Sequence, residues 1–130
     1  MARAEMMRQV PPGYKEAWVR FLVADVGATM VATQMDDLPD GTAWILKDVE
    51  IMFRGTVGTG PYLDINTVAT KVAATEIGGR YYQTLSALHW DGDANGPING
   101  DLTAKPYLQL CAGVGAEAQV VEVTAHCYYK

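Results

Sequence analysis

The chain has 130 residues, of which 49% are hydrophobic, so it is long enough to form one domain around a single packed core. Its formal net charge is −5, which argues against the clustered lysine and arginine that binding to a nucleic-acid backbone requires. No apolar run is long enough to cross a bilayer, and residues 1–13 lack the apolar stretch of a signal peptide. We therefore expect a protein that is made in the cytoplasm and binds neither nucleic acid nor membrane.

Residues 1–17 are predicted to form an extended N-terminal arm, because Pro11-Pro12-Gly13 is a hinge before the first strand pattern. The first 20 residues carry four basic and two acidic side chains, whereas the rest of the chain carries six and thirteen. A mildly cationic arm on an acidic body can dock onto a neighbouring copy, and a flexible tail is the alternative. Residues 18–130 are predicted to form the folded domain.

Period-two alternation of apolar and polar residues is the main signal after the arm. Two alternating segments, 18–26 and 28–35, are separated only by Gly27, which predicts a bulge or a sharp bend between two strands. The acidic turn sequence at 36–41 then ends in Asp-Gly, a pair typical of tight turns. These patterns predict consecutive strands joined by short connections.

The next segment, 42–56, is the clearest strand in the sequence. Its alternation predicts one apolar face, which Lys47 interrupts and which is made of Ile45, Val49, Ile51 and Phe53. Leu46 and Met52 fall on the opposite, more polar face. We therefore expect Ile45 to lie in the core and Leu46 to lie outside it.

Further strand patterns complete an all-β prediction. They occupy 62–66, 80–90, 105–113 and 118–130, whereas 68–79 fits either a strand or a helix. In the last strand His126 falls on the polar face and is predicted to be a surface residue. Seven or eight strands joined by Gly, Asp and Pro turns indicate an antiparallel β-sandwich, and eight strands would suit a jelly roll.

The two cysteines are predicted to be free and buried. The sequence around Cys111 is typical of a hairpin, which places Cys127 roughly 26 Å from it at ~3.3 Å per residue along the returning strand. A disulfide requires Cα atoms within about 7 Å of each other. Both side chains are therefore interpreted as small apolar residues of the core.

An acidic loop between two strands resembles the start of a calcium-binding loop. Its D-x-D-x-N-G sequence occupies 91–96, where alternating oxygen ligands and a glycine bend would converge on a hard cation. The match then fails, because position twelve is Leu102 in place of the expected glutamate. A looser calcium site and a solvated turn both remain open; the candidate ligands are Asp91, Asp93, Asn95 and Asp101.

The sequence contains no recognisable set of catalytic residues, and none is predicted. Ser86 is the only serine and lacks a nucleophile elbow, while His89 and His126 are too few for a histidine-rich metal centre. The glycine-rich segment 55–61 lacks the Lys-Ser/Thr of a phosphate loop. The aromatic residues, Trp90 among them, could bind a sugar, although at strand spacing they more often fill a core or an interface.

Three parts of the chain resemble a known group of proteins. They are the short arm, the middle sequence VEIMFRGTVGTGPYLDINT at 49–67, and the final strand VVEVTAHCYYK at 120–130. Together they resemble the small jelly-roll virion proteins of tailed bacteriophages, especially those that decorate or cement the head. The resemblance implies a non-enzymatic homo-oligomer, often a trimer, made in the host cytoplasm and bound through the major capsid protein to the outer capsid surface.

The arm offers candidate residues for such a contact, because it combines apolar side chains with positive charge. These are Arg3, Met6, Met7, Arg8 and Val10. Ordering an arm costs conformational entropy, so it should be fixed only where a partner is present. The alternative function is a calcium-dependent or carbohydrate-binding β-sandwich module of a phage tail or another assembly.

Overall fold

The structure is a computed structural model that describes residues 10–69, 81–82, 87–91 and 102–130. These residues form eight β-strands: β1 Lys15–Val26, β2 Val31–Gln34, β3 Trp44–Phe53, β4 Tyr62–Asn66, β5 Tyr81–Tyr82, β6 Ala87–Asp91, β7 Tyr107–Cys111 and β8 Gln119–Tyr129. Within this part of the chain, no helix is long and apolar enough to cross a membrane.

The strands form two four-stranded antiparallel sheets, which confirms the predicted all-β antiparallel sandwich. The first sheet has the order β1-β8-β3-β6 and the second has the order β2-β7-β4-β5. Four of the pairs are nested along the chain: β1 with β8, β2 with β7, β3 with β6, and β4 with β5. The β3–β8 and β4–β7 pairs then complete the two sheets. Each described strand pair therefore joins one of the first four strands to one of the last four.

The core lies between the two sheets and is built from inward-facing residues of the strands whose side chains are described. The first sheet contributes Val121, Val123, Ala125 and Cys127 from β8, all of them 0% exposed. The second sheet contributes Leu63, Ile65, Leu108 and Leu110, also 0% exposed. Full burial of each large aliphatic side chain stabilises the fold by about 1.5–3 kcal/mol relative to exposure. The predicted alternation of β8 is thereby confirmed.

A β-bulge in β3 reverses the predicted faces of Ile45 and Leu46. Leu46 pairs with Cys127 and Asp48 pairs with His126, so Lys47 is an extra residue opposite two consecutive residues of β8. Leu46 is 1% exposed in the core, whereas Ile45 is only half-buried. The prediction for these two residues was wrong because the inserted residue shifts the alternation by one position.

The first strand begins earlier than the sequence pattern predicts and contains a bulge near its end. Lys15 already pairs with Tyr129, three residues before the strand start predicted at residue 18. The register then shifts between Val23 and Val26, where Asp25 has a positive φ of 60°. This bulge precedes Gly27, and residues 27–29 then form the bend that was predicted between the first two strands.

Both cysteines are free and buried, as predicted. Cys127 lies in the core, and its burial raises the pKa of its thiol to about 11. Since the thiolate is the reactive form, Cys127 is chemically inert at neutral pH. The Cys111 sulfur donates to the Ala28 carbonyl at 3.3 Å and accepts from the Gly113 amide at 3.4 Å, which fixes it between two loops.

Candidate functional site

The outer face of the first sheet, which points away from the second sheet, contains a buried histidine. The strand register places Trp18, His126 and Asp48 side by side across β1, β8 and β3. His126 is only 1% exposed, so the prediction that it lies on the surface was wrong. It does belong to the outward-facing row of β8, but neighbouring side chains of the same face cover it.

The side chains around His126 hold its ring from both edges and from one face. Nε2 lies 2.6 Å from Glu16 Oε2, and Nδ1 lies 3.5 Å from Asp48 Oδ2. The Trp18 ring stacks on the imidazole with centroids 4.0 Å apart and an angle of 1° between planes. Tyr128 meets it edge-on at 5.3 Å. We call these five residues the His126 cluster.

The geometry of the His126 cluster favours a structural role over a catalytic one. A general base must reach a substrate proton with a free nitrogen, but both ring nitrogens face carboxylates and the ring is buried. Among the residues that the structure describes, no three His, Cys, Asp or Glu side chains are arranged to hold a metal ion. The cluster instead fastens β1 to β8 and β3 through one ring.

Among the residues whose side chains the structure describes, the same face exposes three large apolar side chains. Trp18 is 62% exposed, Leu22 is 58% exposed and Met52 is 54% exposed. The register places Leu22 and Met52 on either side of Glu122. Trp18 is exposed and yet held in one orientation, because its inner surface stacks on the buried imidazole.

A charged group lies between these apolar residues. Arg54 donates to Glu122 Oε1 at 2.8 Å, and Arg20 lies 3.7 Å from the same oxygen. The hydrogen bond and the charge of Arg54, followed by the charge of Arg20, hold the pKa of Glu122 below its usual value. We define the outer-sheet patch as the surface formed by Trp18, Arg20, Leu22, Met52, Arg54 and Glu122.

The outer-sheet patch has the composition of an interaction surface. Tryptophan, methionine and arginine are enriched at protein–protein interfaces, where buried aromatic residues act as anchors. The sequence analysis did not identify the patch, although the alternation of β1 contained the signal. Ala17, Val19 and Phe21 pack against the core, so Trp18 and Leu22 must point outward.

The outer face of the second sheet is different, because three of its polar residues are fully buried. Asp64, Asn66 and Gln109 are each 0% exposed. Gln109 Nε2 donates to the carbonyls of Val68 and Ala69 at 3.2 Å. Val68 and Ala69, which follow β4 closely, are therefore held at this face by Gln109.

Most of the site residues predicted from the sequence lie outside the described residues. The backbone of Asp91 ends β6 and pairs with Asp48, whereas the other candidate calcium ligands, Asp93, Asn95 and Asp101, are not described. Of the five arm residues predicted to contact a partner, only Val10 is described, and it is 38% exposed. The other four are Arg3, Met6, Met7 and Arg8. The calcium site and the arm contact therefore stay predictions.

No protein-family model matches the sequence, and no curated protein is significantly similar to it. The fold and the two outer faces are therefore the basis for a functional proposal.

Proposed function

We propose that this protein is a non-enzymatic virion structural protein that decorates or cements the capsid of a tailed bacteriophage. In this role it binds the outer surface of the major capsid protein and stabilises the junctions between capsid subunits. Its nested strand pairs support the proposal, because nested pairing of strands in two four-stranded sheets is what a jelly roll requires. Jelly rolls are common among viral capsid domains, although the fold alone also suits other functions.

The observation that carries the proposal is the outer-sheet patch. Exposed Trp18, Leu22 and Met52 leave apolar surface in water on the outer face of the first sheet. A partner that covers them gains roughly 25 cal/mol for each Å² of apolar surface removed from water. A protein that binds across the boundary between two capsid subunits must gain enough binding free energy from such contacts to keep those subunits together. The patch is suited to this role because its apolar residues surround an ion-paired centre.

Rigidity of the patch supports the same role. The His126 cluster fixes Trp18, and Arg20 and Arg54 both form ion pairs with Glu122. Side chains that are already ordered lose less conformational entropy on binding than mobile ones do. A preorganised surface of this kind favours a permanent contact with a shell.

The proposal predicts that capsid binding depends on the apolar part of the patch. Purified protein should bind phage heads that lack it, whereas Leu22→Glu combined with Met52→Glu should weaken binding at least tenfold, which corresponds to about 1.4 kcal/mol. The new carboxylates would have to be buried against the shell without a partner, and this is costly. Co-sedimentation with heads over a range of protein concentrations measures the effect.

Val114→Glu is the matched control, because Val114 is 75% exposed but lies in a loop away from the patch. This variant should bind like the wild type. Equal binding by the wild type and the double variant would contradict docking through the patch.

A carbohydrate-binding module, with or without calcium, is the second candidate. One observation favours it: Trp18 presents a flat, exposed aromatic ring that is fixed in orientation, and jelly rolls also occur among lectins. Glycan binding that Trp18→Ala abolishes, together with no binding to phage heads, would replace the virion role by this one.

A further inference from the structure

One edge of the first sheet is long and regular. β1 has twelve residues and lies at the end of the sheet, where β8 is its hydrogen-bonded neighbour among the described strands of that sheet. Its pairing with β8 runs without a shift from Lys15 to Val23. Proteins normally protect a long edge strand with bulges, prolines or a covering segment, because its unpaired backbone groups can add another strand. In β1 the bulge comes only after Val23.

The outward side chains of β1 form a self-complementary charge pattern. Glu16 and Arg20 lie at equal distances on either side of Trp18 and on the same face of the strand. If a second copy of β1 aligned antiparallel with Trp18 opposite Trp18, each Glu16 would face Arg20 of the other copy. An axis through Glu16 or Arg20 would instead place like charges opposite each other, which destabilises a strand pair.

We propose that two copies of this protein pair antiparallel through their β1 strands about a two-fold axis at Trp18. The pairing joins the two first sheets into one continuous eight-stranded sheet. Two Glu16–Arg20 pairs flank a central Trp18 pair on its outer face, and Ala17 faces Val19 on its inner face. The contact is isologous, the commonest kind in homo-oligomers.

The side chains that make these contacts are available for them. The Arg20 side chain is 74% exposed and lies 3.7 Å from Glu122. Glu16 is 41% exposed although one of its oxygens meets His126. Stacking on His126 holds Trp18 in place at the axis before the second copy arrives. Little further ordering is therefore needed for association.

The pairing goes beyond the proposed virion function and does not depend on it, because it requires only a second copy of the chain. It would also place two outer-sheet patches side by side on one surface. A dimer that docks through both patches gains avidity over a single subunit. Measurements on the purified protein test the pairing, and measurements on phage heads test the virion role, so either can fail alone.

Charge substitutions test the pairing by sedimentation equilibrium or native mass spectrometry. The wild type should be a dimer, and Arg20→Glu should raise its dissociation constant at least tenfold, because two attractive cross-strand pairs become repulsive. Arg54→Glu is the control, since it makes the same change within the outer-sheet patch but directly after β3, and it should leave the dimer intact. A monomeric wild type, or an Arg20→Glu variant that dimerises like the wild type, would overturn the proposal.

A cysteine crosslink tests the register directly. Residues directly opposite in an antiparallel pair have Cα atoms about 4.5–5.5 Å apart, within the range of a disulfide. Oxidised Trp18→Cys should therefore form a covalent dimer, whereas Arg20→Cys should not, because Arg20 faces Glu16 of the other copy. The native cysteines are buried and do not compete. Crosslinking at Arg20 in preference to Trp18 would contradict the proposed axis.

Discussion

Leu46→Ala is expected to lower the free energy of unfolding by about 3–5 kcal/mol, because it removes a core side chain and leaves a cavity. Leu46 is 1% exposed and points into the space between the sheets. Ile45→Ala removes a similar volume from a half-buried position on the other side of the bulge. It should lower the free energy of unfolding by no more than about 2 kcal/mol. Urea denaturation of the two variants measures the difference.

The comparison between Ile45 and Leu46 tests the bulge at Lys47, because the uninterrupted alternation predicts the opposite order. A larger loss for Ile45→Ala than for Leu46→Ala would mean that β3 has no extra residue at this point. Met52→Ala is a suitable control, since Met52 belongs to the exposed patch and its truncation should change stability by about 0.5 kcal/mol or less.

His126→Ala is expected to lower the free energy of unfolding by about 2–4 kcal/mol, which combines a lost charge-assisted hydrogen bond, lost ring stacking and a small cavity. The ring connects β1 to β8 and β3 through Glu16, Trp18 and Asp48. Its removal should therefore loosen the edge strand most. Thermal and urea denaturation measure the loss, and hydrogen exchange of the β1 amides locates it.

His126→Phe separates the contribution of ring packing to the free energy of unfolding from the contribution of hydrogen bonding. Phenylalanine keeps a ring of similar size under Trp18 but has no nitrogen atom for Glu16 or Asp48. This variant should recover the stacking and packing part of the stability and none of the hydrogen bonding. If His126→Ala were as stable as the wild type, the histidine would not hold β1 in place, and Trp18 would not be a preorganised anchor.

Strand patterns predicted the sandwich well because burial between two sheets imposes a period of two on every strand. The alternation of Val121, Val123, Ala125 and Cys127 reports that burial directly. The predicted alternation was wrong at Leu46, because the inserted residue reverses the faces of the residues that precede it in β3. The one sign of this in the sequence was Lys47, a charged residue in an otherwise apolar row. The position of a β-bulge cannot be predicted from the alternation of apolar and polar residues alone.

The candidate site was harder to predict, since it depends on residues that are distant in sequence. Whether His126 is buried depends on Trp18 of β1, which is 108 positions earlier and becomes its neighbour only through the β1–β8 pair. The alternation correctly placed His126 on the outer face, but it does not report what covers that face. The outer-sheet patch likewise combines β1, β3 and β8, and strand order cannot be obtained from alternation.

The two proposals describe one physical arrangement on the first sheet. Its inner face makes the core, its outer face exposes Trp18, Leu22 and Met52, and its β1 edge has a self-complementary charge pattern. Both outward surfaces are suited to contacts with other proteins. The buried His126 stabilises both surfaces, because its ring stacks on Trp18 and forms a hydrogen bond with Glu16 of β1.

The most direct test of the virion role is the cryo-electron microscopy structure of intact phage particles that contain this protein. We expect density for the sandwich on the outside of the shell, at a copy number set by the capsid symmetry, with Trp18, Leu22 and Met52 facing capsid subunits. Absence of the protein from the particle, or attachment that leaves these three side chains in solvent, would contradict the account.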